Sequence, residues 1–120
     1  MKNLITLILI CLIIAADIQA QNKLDEVLPV RGICLSSPKP EKVDQFIKFI
    51  KEELVPRKVN TLVILIDYGY KFKSHPELIG ENALSNQDVK KIVKACKDGG
   101  IRIIPQINLL GHQSWFQQVG

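Results

Sequence analysis

The chain has 120 residues, a formal net charge of +4 and a 47% share of hydrophobic residues. That length allows one small domain but not a complete barrel enzyme, which needs about 250 residues. The positive excess is modest, and Lys90, Lys91, Lys94 and Lys97 read as the solvated face of one helix, so neither a nucleic acid nor a membrane surface is expected as a partner.

Lys2 opens a positively charged segment, Leu4 through Ala16 is apolar apart from Thr6, and Ile18-Gln19-Ala20 ends on a small residue. The pattern predicts a secretory signal peptide over residues 1–20, cut after Ala20, and hence a secreted or periplasmic protein that leaves the membrane on cleavage. The apolar run is shorter than the roughly 20 residues of a spanning helix. Ile10 stands before Cys11, where a lipoprotein signal carries a small residue. Lys2 and Asp17 depart together, so the mature chain keeps its charge of +4. Residues 21–29 read as a linker, and 30–120 as the folded part. Cys34 and Cys96 both fall at apolar positions and are expected as buried, unpaired thiols. No Cys-x-x-Cys or His/Cys cluster is present, so no metal and no cofactor is expected.

The mature chain alternates strand and helix. Val30 to Leu35 predicts a short strand with Arg31 and Gly32 inside it. Ser37-Pro38 predicts a helix start, with Ser as N-cap and Pro in the first helical position. Val43, Phe46, Ile47, Ile50 and Leu54 then form one apolar stripe, which Pro56 ends. Thr61 to Ile66 is a β-branched apolar run suited to a strand covered on both faces. A loop from Asp67 to Leu84 follows. Ser85 to Asp88 reads as a capping box, with Asp in the usual Glu position. Val89, Ile92, Val93 and Cys96 make the second helical stripe, and Gly99 stops it. Ile101 to Ile107 predicts the third strand.

This order implies an α/β fold of parallel strands joined by right-handed crossovers. The turn after the first strand is Ser36-Ser37-Pro38-Lys39-Pro40, with no Gly-x-Gly-x-x-Gly, which argues against a dinucleotide-binding sheet. The alternative is a partial (β/α)8 TIM barrel, of which residues 30–120 supply about the first three strands and two helices. A third strand left at an open edge fits that reading, because intact proteins rarely leave one.

Several segments carry a family resemblance. They are Arg31-Gly32-Ile33-Cys34-Leu35, Asn60-Thr61-Leu62 with the acidic turn at Asp67, and Ser74-His75-Pro76-Glu77-Leu78. Asp88-Val89, Gly99 to Ile104, and Ile104-Pro105-Gln106-Ile107-Asn108 with Gly111-His112 complete the set. In this order and spacing the chain from Val30 to Trp115 resembles the start of the glycoside hydrolase family 20 catalytic barrel, the β-N-acetylhexosaminidases. The resemblance implies a secreted hydrolase acting on terminal amino-sugar glycosides, with no cofactor. In that family the substrate's own acetamido oxygen is the nucleophile, and an Asp–Glu pair at the end of strand four orients it and protonates the leaving oxygen. That pair is expected beyond Gly120, so the 120-residue chain alone is expected to be inactive.

By the same resemblance Arg31 contacts sugar hydroxyls, His112 tunes the proton affinity of the catalytic acid, and Asp67 orients His112. Tyr68 shares the alignment position with Asp67 if the match slips by one residue. Trp115 and Tyr68 are candidate stacking faces for a sugar. Each has a plainer alternative: an ion pair for Arg31, a turn-stabilising role for His112, a loop cap for Asp67, a rim plug for Trp115 and a loop aromatic for Tyr68. His75, before Pro76, reads as structural. The family's strand-three carboxylates are amides here, Gln106 and Asn108, which places the chain in a divergent branch. Two further readings stand beside the glycosidase: a non-catalytic carbohydrate-binding barrel, and a small complete α/β binding module.

The export reading makes a direct prediction. N-terminal sequencing of the exported protein should begin at Gln21, and a retained Met1 would overturn it.

Overall fold

The computed structural model describes residues 25–108, together with Ile5, Thr6 and Lys23. The chain divides into two compact units, Met1–Arg31 and Gly32–Gly120. Among the described residues no helix is long and apolar enough to cross a membrane. In the first unit the described contacts centre on Arg31, whose guanidinium pairs with Asp25 at 2.8 Å and donates to the Leu28 carbonyl at 2.6 Å.

The second unit is α/β. Its strands are β1 (Gly32–Ser36), β2 (Thr61–Leu65) and β3 (Arg102–Gln106), paired in parallel in the order β1-β2-β3. Leu62 stands between Ile33 and Ile103 in register, and Ile64 between Leu35 and Pro105. These six side chains share one sheet face, since alternate residues of a strand point the same way. Two helical segments cover that face. The first starts as a 3-10 turn (Pro40–Lys42), continues as α1 (Val43–Phe49) and widens into a π-helical turn (Ile50–Leu54); the second is α2 (Asn86–Asp98). Val43, Ile50, Leu54, Leu62, Leu84, Ile92, Ala95, Cys96 and Ile101 are buried in one core.

The other sheet face carries Cys34, Val63, Leu65, Ile104 and Gln106. Val63 and Leu65 are half-buried, while Cys34, Ile104 and Gln106 are exposed. The expectation of two covered faces therefore holds for one face only, because both crossovers return over the same side. Cys34 is accordingly exposed, whereas Cys96 is buried in α2, where desolvation pushes its thiol above the ordinary value. Val93, expected in the α2 stripe, is 41% exposed, and Ala95 takes a core position instead.

The helix starts differ. Ser37 does not cap the first helix; its N–H donates to Leu65 C=O at 2.9 Å and prolongs the β1–β2 ladder. Ser37 and Lys39 each precede a proline, which favours extended backbone, so the helix waits for Pro40. Lys39 is the N-cap, at φ −67° and ψ 154°, with no side-chain cap. At α2 the capping box forms as expected. Ser85 Oγ accepts from the Asp88 N–H at 3.2 Å, and the Ser85 N–H donates to Asp88 Oδ2 at 2.9 Å. The bonds from the Ser85 side chain and backbone hold the Asp88 carboxyl below its ordinary pKa. A lowered folded-state pKa contributes stability above the unfolded value, and that contribution is lost as pH falls through the folded one.

Both helices end alike. Past α1 the Val59 N–H reaches Leu54 C=O at 3.1 Å and the Lys58 N–H reaches Val55 C=O at 3.0 Å. Past α2 the Ile101 N–H reaches Cys96 C=O at 2.8 Å and the Gly100 N–H reaches Lys97 C=O at 3.1 Å. Each is a Schellman closure with a left-handed residue, Lys58 at φ 57° and Gly100 at φ 69°. The helix stops at Gly99, its C-cap, as expected, and the left-handed residue is Gly100 just after it. Each closure sends an apolar residue, Val59 or Ile101, back onto the core just before the next strand.

A left-handed non-glycine residue costs roughly 1–2 kcal/mol, and glycine returns part of that through its freer unfolded chain. Lys58→Gly should therefore stabilise the protein by about 0.5–1 kcal/mol, read as a higher urea midpoint; a lower midpoint would contradict the assignment.

Candidate functional site

Three parallel strands end on the same edge of the sheet, so the described chain leaving each of them starts there. An open cleft of about 730 Å³ lies at that end. Ser36 lines it as the last residue of β1, Ser37 and Lys39 just after that strand, and Asp67 and Tyr68 after β2. Glu77, Glu81 and Asn82 close it from the long loop.

That loop is packed rather than slack. Ile66 C=O accepts from the Gly69 N–H at 2.6 Å, which turns the chain at Asp67 and Tyr68. Tyr68 C=O accepts from the Gly80 N–H, and Gly69 C=O from the Leu84 N–H, both at 2.9 Å. Tyr70 bridges Leu84 in parallel, and its ring meets Phe72 edge-on with centroids 5.3 Å apart. Ala83 and Leu84 are buried and anchor the loop's return into α2. At the tip His75 precedes a 3-10 turn (Pro76–Leu78) and its Nδ1 lies 2.9 Å from Glu77 Oε1. The Glu77 carboxyl is held below its ordinary value, first by its own backbone N–H and next by His75. His75, read from the sequence as structural, thus faces Glu77 at an exposed position.

Asp67 is the best-defined polar group at the strand ends. Its backbone is left-handed, at φ 42°, a region Asp tolerates better than most residues. Its Oδ1 accepts from the Asn108 N–H at 2.9 Å, and its Oδ2 from Asn108 Nδ2 at 3.3 Å. Just below, the Ile66 N–H donates to Gln106 C=O at 2.9 Å, and Gln106 Oε1 lies 3.6 Å from Cys34 Sγ. Both strand-three amides are therefore engaged within the protein.

The structure brings Asp67 and Tyr68 together in the cleft wall. Arg31 stands before β1 rather than inside the expected strand, and of its two readings it adopts the ion pair, with a side chain 15% exposed. His112 and Trp115 lie outside the described residues, as does the expected approach of Asp67 to His112. Ser36, Ser37 and Lys39 were not legible as site residues, because their place in the wall depends on where β1 ends and the helix is delayed. The cleft offers hydroxyls, carboxylates, one amide, one ammonium and an aromatic face, a set that suits a polyhydroxylated ligand. Among the described residues no group of three or more His, Cys, Asp or Glu is placed to hold a metal ion.

No protein-family model and no curated protein matches this chain.

Gly69 tests the wall's geometry. A Cβ there would lie 2.8 Å from Ile66 O and 3.1 Å from Ser37 Oγ, so the turn must shift to admit it. Gly69→Ala should destabilise the protein by about 1–3 kcal/mol in urea unfolding, and an unchanged midpoint would contradict the close approach.

Proposed function

We propose that this chain forms the first strands and helices of a (β/α)8 barrel in a secreted glycoside hydrolase of the β-N-acetylhexosaminidase kind. The observation that carries the reading is the cleft at the strands' carboxyl ends, with Asp67 and Tyr68 in its wall. Ligands of parallel α/β barrels bind at that end. Two further features support it. Sequential parallel strands with both crossovers on one side suit a barrel, and the apolar face of Cys34, Val63, Leu65 and Ile104 suits its interior.

In this reading Tyr68 lends its ring to a sugar face, and the Ser36 and Ser37 hydroxyls exchange hydrogen bonds with sugar hydroxyls. Asp67 stays a hydrogen-bonded carboxylate in the wall and supports His112 or the loop that carries it. The Asp–Glu pair that orients the acetamido group and protonates the leaving oxygen comes from a fourth strand. Arg31, ion-paired with Asp25, is given no sugar contact.

A second reading, a sugar-binding barrel without catalysis, is favoured by Gln106 and Asn108. Both stand where the resemblance has carboxylates, and both spend their amides on Cys34 and Asp67.

The decisive experiment assays the full-length protein on an aryl N-acetyl-β-glucosaminide. Hydrolysis with retained configuration supports the glycosidase, binding without turnover supports the second reading, and neither overturns both. The barrel has its own check. Its interior should shield Cys34, so Cys34 should react slowly with a thiol reagent in the native full-length protein and quickly after denaturation; fast native reaction would overturn the barrel.

A further inference from the structure

Asp67 and Asn108 are 41 residues apart, yet one carboxylate grips both the backbone and the side chain of Asn108. Together with the bond from the Ile66 N–H to Gln106 C=O, this ties the chain leaving β3 to the chain leaving β2 at three points. Two of the three depend on the Asp67 side chain. Asp67 also lines the cleft, so whatever fixes it fixes part of the wall.

We propose that Asn108 is a positioning residue: with Asp67 it forms a two-bond latch that sets the direction in which the chain leaves β3 beside the cleft. The latch is chemically selective. Asp67 presents only acceptors, so its partner must bring donors, and Asn108 brings two, the N–H and the Nδ2 amide. A carboxylate at position 108 would keep the backbone donor, lose the side-chain donor and set two negative charges at hydrogen-bond distance. The amide at 108 is therefore what allows a single carboxylate to join the two strand ends. The role assigned to the latch rests on the cleft being the ligand site, but the latch itself does not require that ligand to be a sugar.

The test is hydrogen–deuterium exchange of the full-length protein, read by mass spectrometry on peptides spanning residues 103–109 and, as a control, α2. Asn108→Asp is nearly isosteric and should speed exchange of the 108 amide by about tenfold or more, with α2 unchanged. Asp67→Asn keeps a residue that tolerates the left-handed backbone. The double variant Asp67→Asn with Asn108→Asp restores donor against acceptor with the polarity reversed, and it should bring exchange back to within about threefold of the parent. Unchanged exchange in Asn108→Asp overturns the latch. So does a double variant no slower than the single one, or a rise in α2 as large as that at residue 108, which would mark a general loss of structure. The readout needs no bound sugar, so failure of the glycosidase reading leaves it interpretable.

Discussion

Leu62, in the middle of β2, has no exposed surface, and the second unit is arranged around it. Its register neighbours are Ile33 and Ile103, and α1 and α2 close over the same face. Parallel pairing imposes this plan. Each strand must be followed by a crossover long enough to return to the same end, and consistently right-handed crossovers between successive neighbours fall on one side. One face is therefore packed, and the face with Cys34, Val63, Leu65 and Ile104 is left to other uses. The same constraint brings all strand exits to one end, where Ser36 and Asp67 line the cleft and Asp67 holds Asn108.

Precision at that end depends on how each helix hands over to the next strand. Both Schellman closures drive an apolar residue, Val59 or Ile101, into the core, and the following strand begins within two residues. The strands thus enter the sheet in a fixed register. At their far ends the ladder runs one step past the strands, through the N–H groups of Ser37 and Ile66. The exposed ion pairs Lys48–Glu52, Lys94–Asp98 and Lys91–Asp44 add little to this, because solvent screens them.

The cleft carries its polar groups on this frame. A loop of such length is often loose, yet here buried Ala83 and Leu84 and a run of backbone bonds hold it against the end of β2. Asp67 accepts a strained backbone and in return joins two strand exits. The amides of Gln106 and Asn108 reach across to the neighbouring chain segments, at Cys34 and Asp67.

Local rules made much of the chain legible from its residues alone. Three strands, two helices, the apolar stripe from Val43 to Leu54 and the Ser85–Asp88 box follow from periodicity and capping, which act within a few residues. So does the sense of the strands, since a helix between two of them leaves room for parallel pairing. What tertiary structure alone decided lies at longer range. That Cys34 is exposed and Ala95 buried depends on which sheet face the helices cover. That Ser37 extends the ladder instead of capping the first helix depends on Leu65 of β2 lying beside it. That Arg31 pairs with Asp25 goes with the strand beginning at Gly32, two residues later than expected. The Asp67–Asn108 pair spans 41 residues and two crossovers, and no local pattern encodes it, because it exists only once β2 and β3 lie side by side.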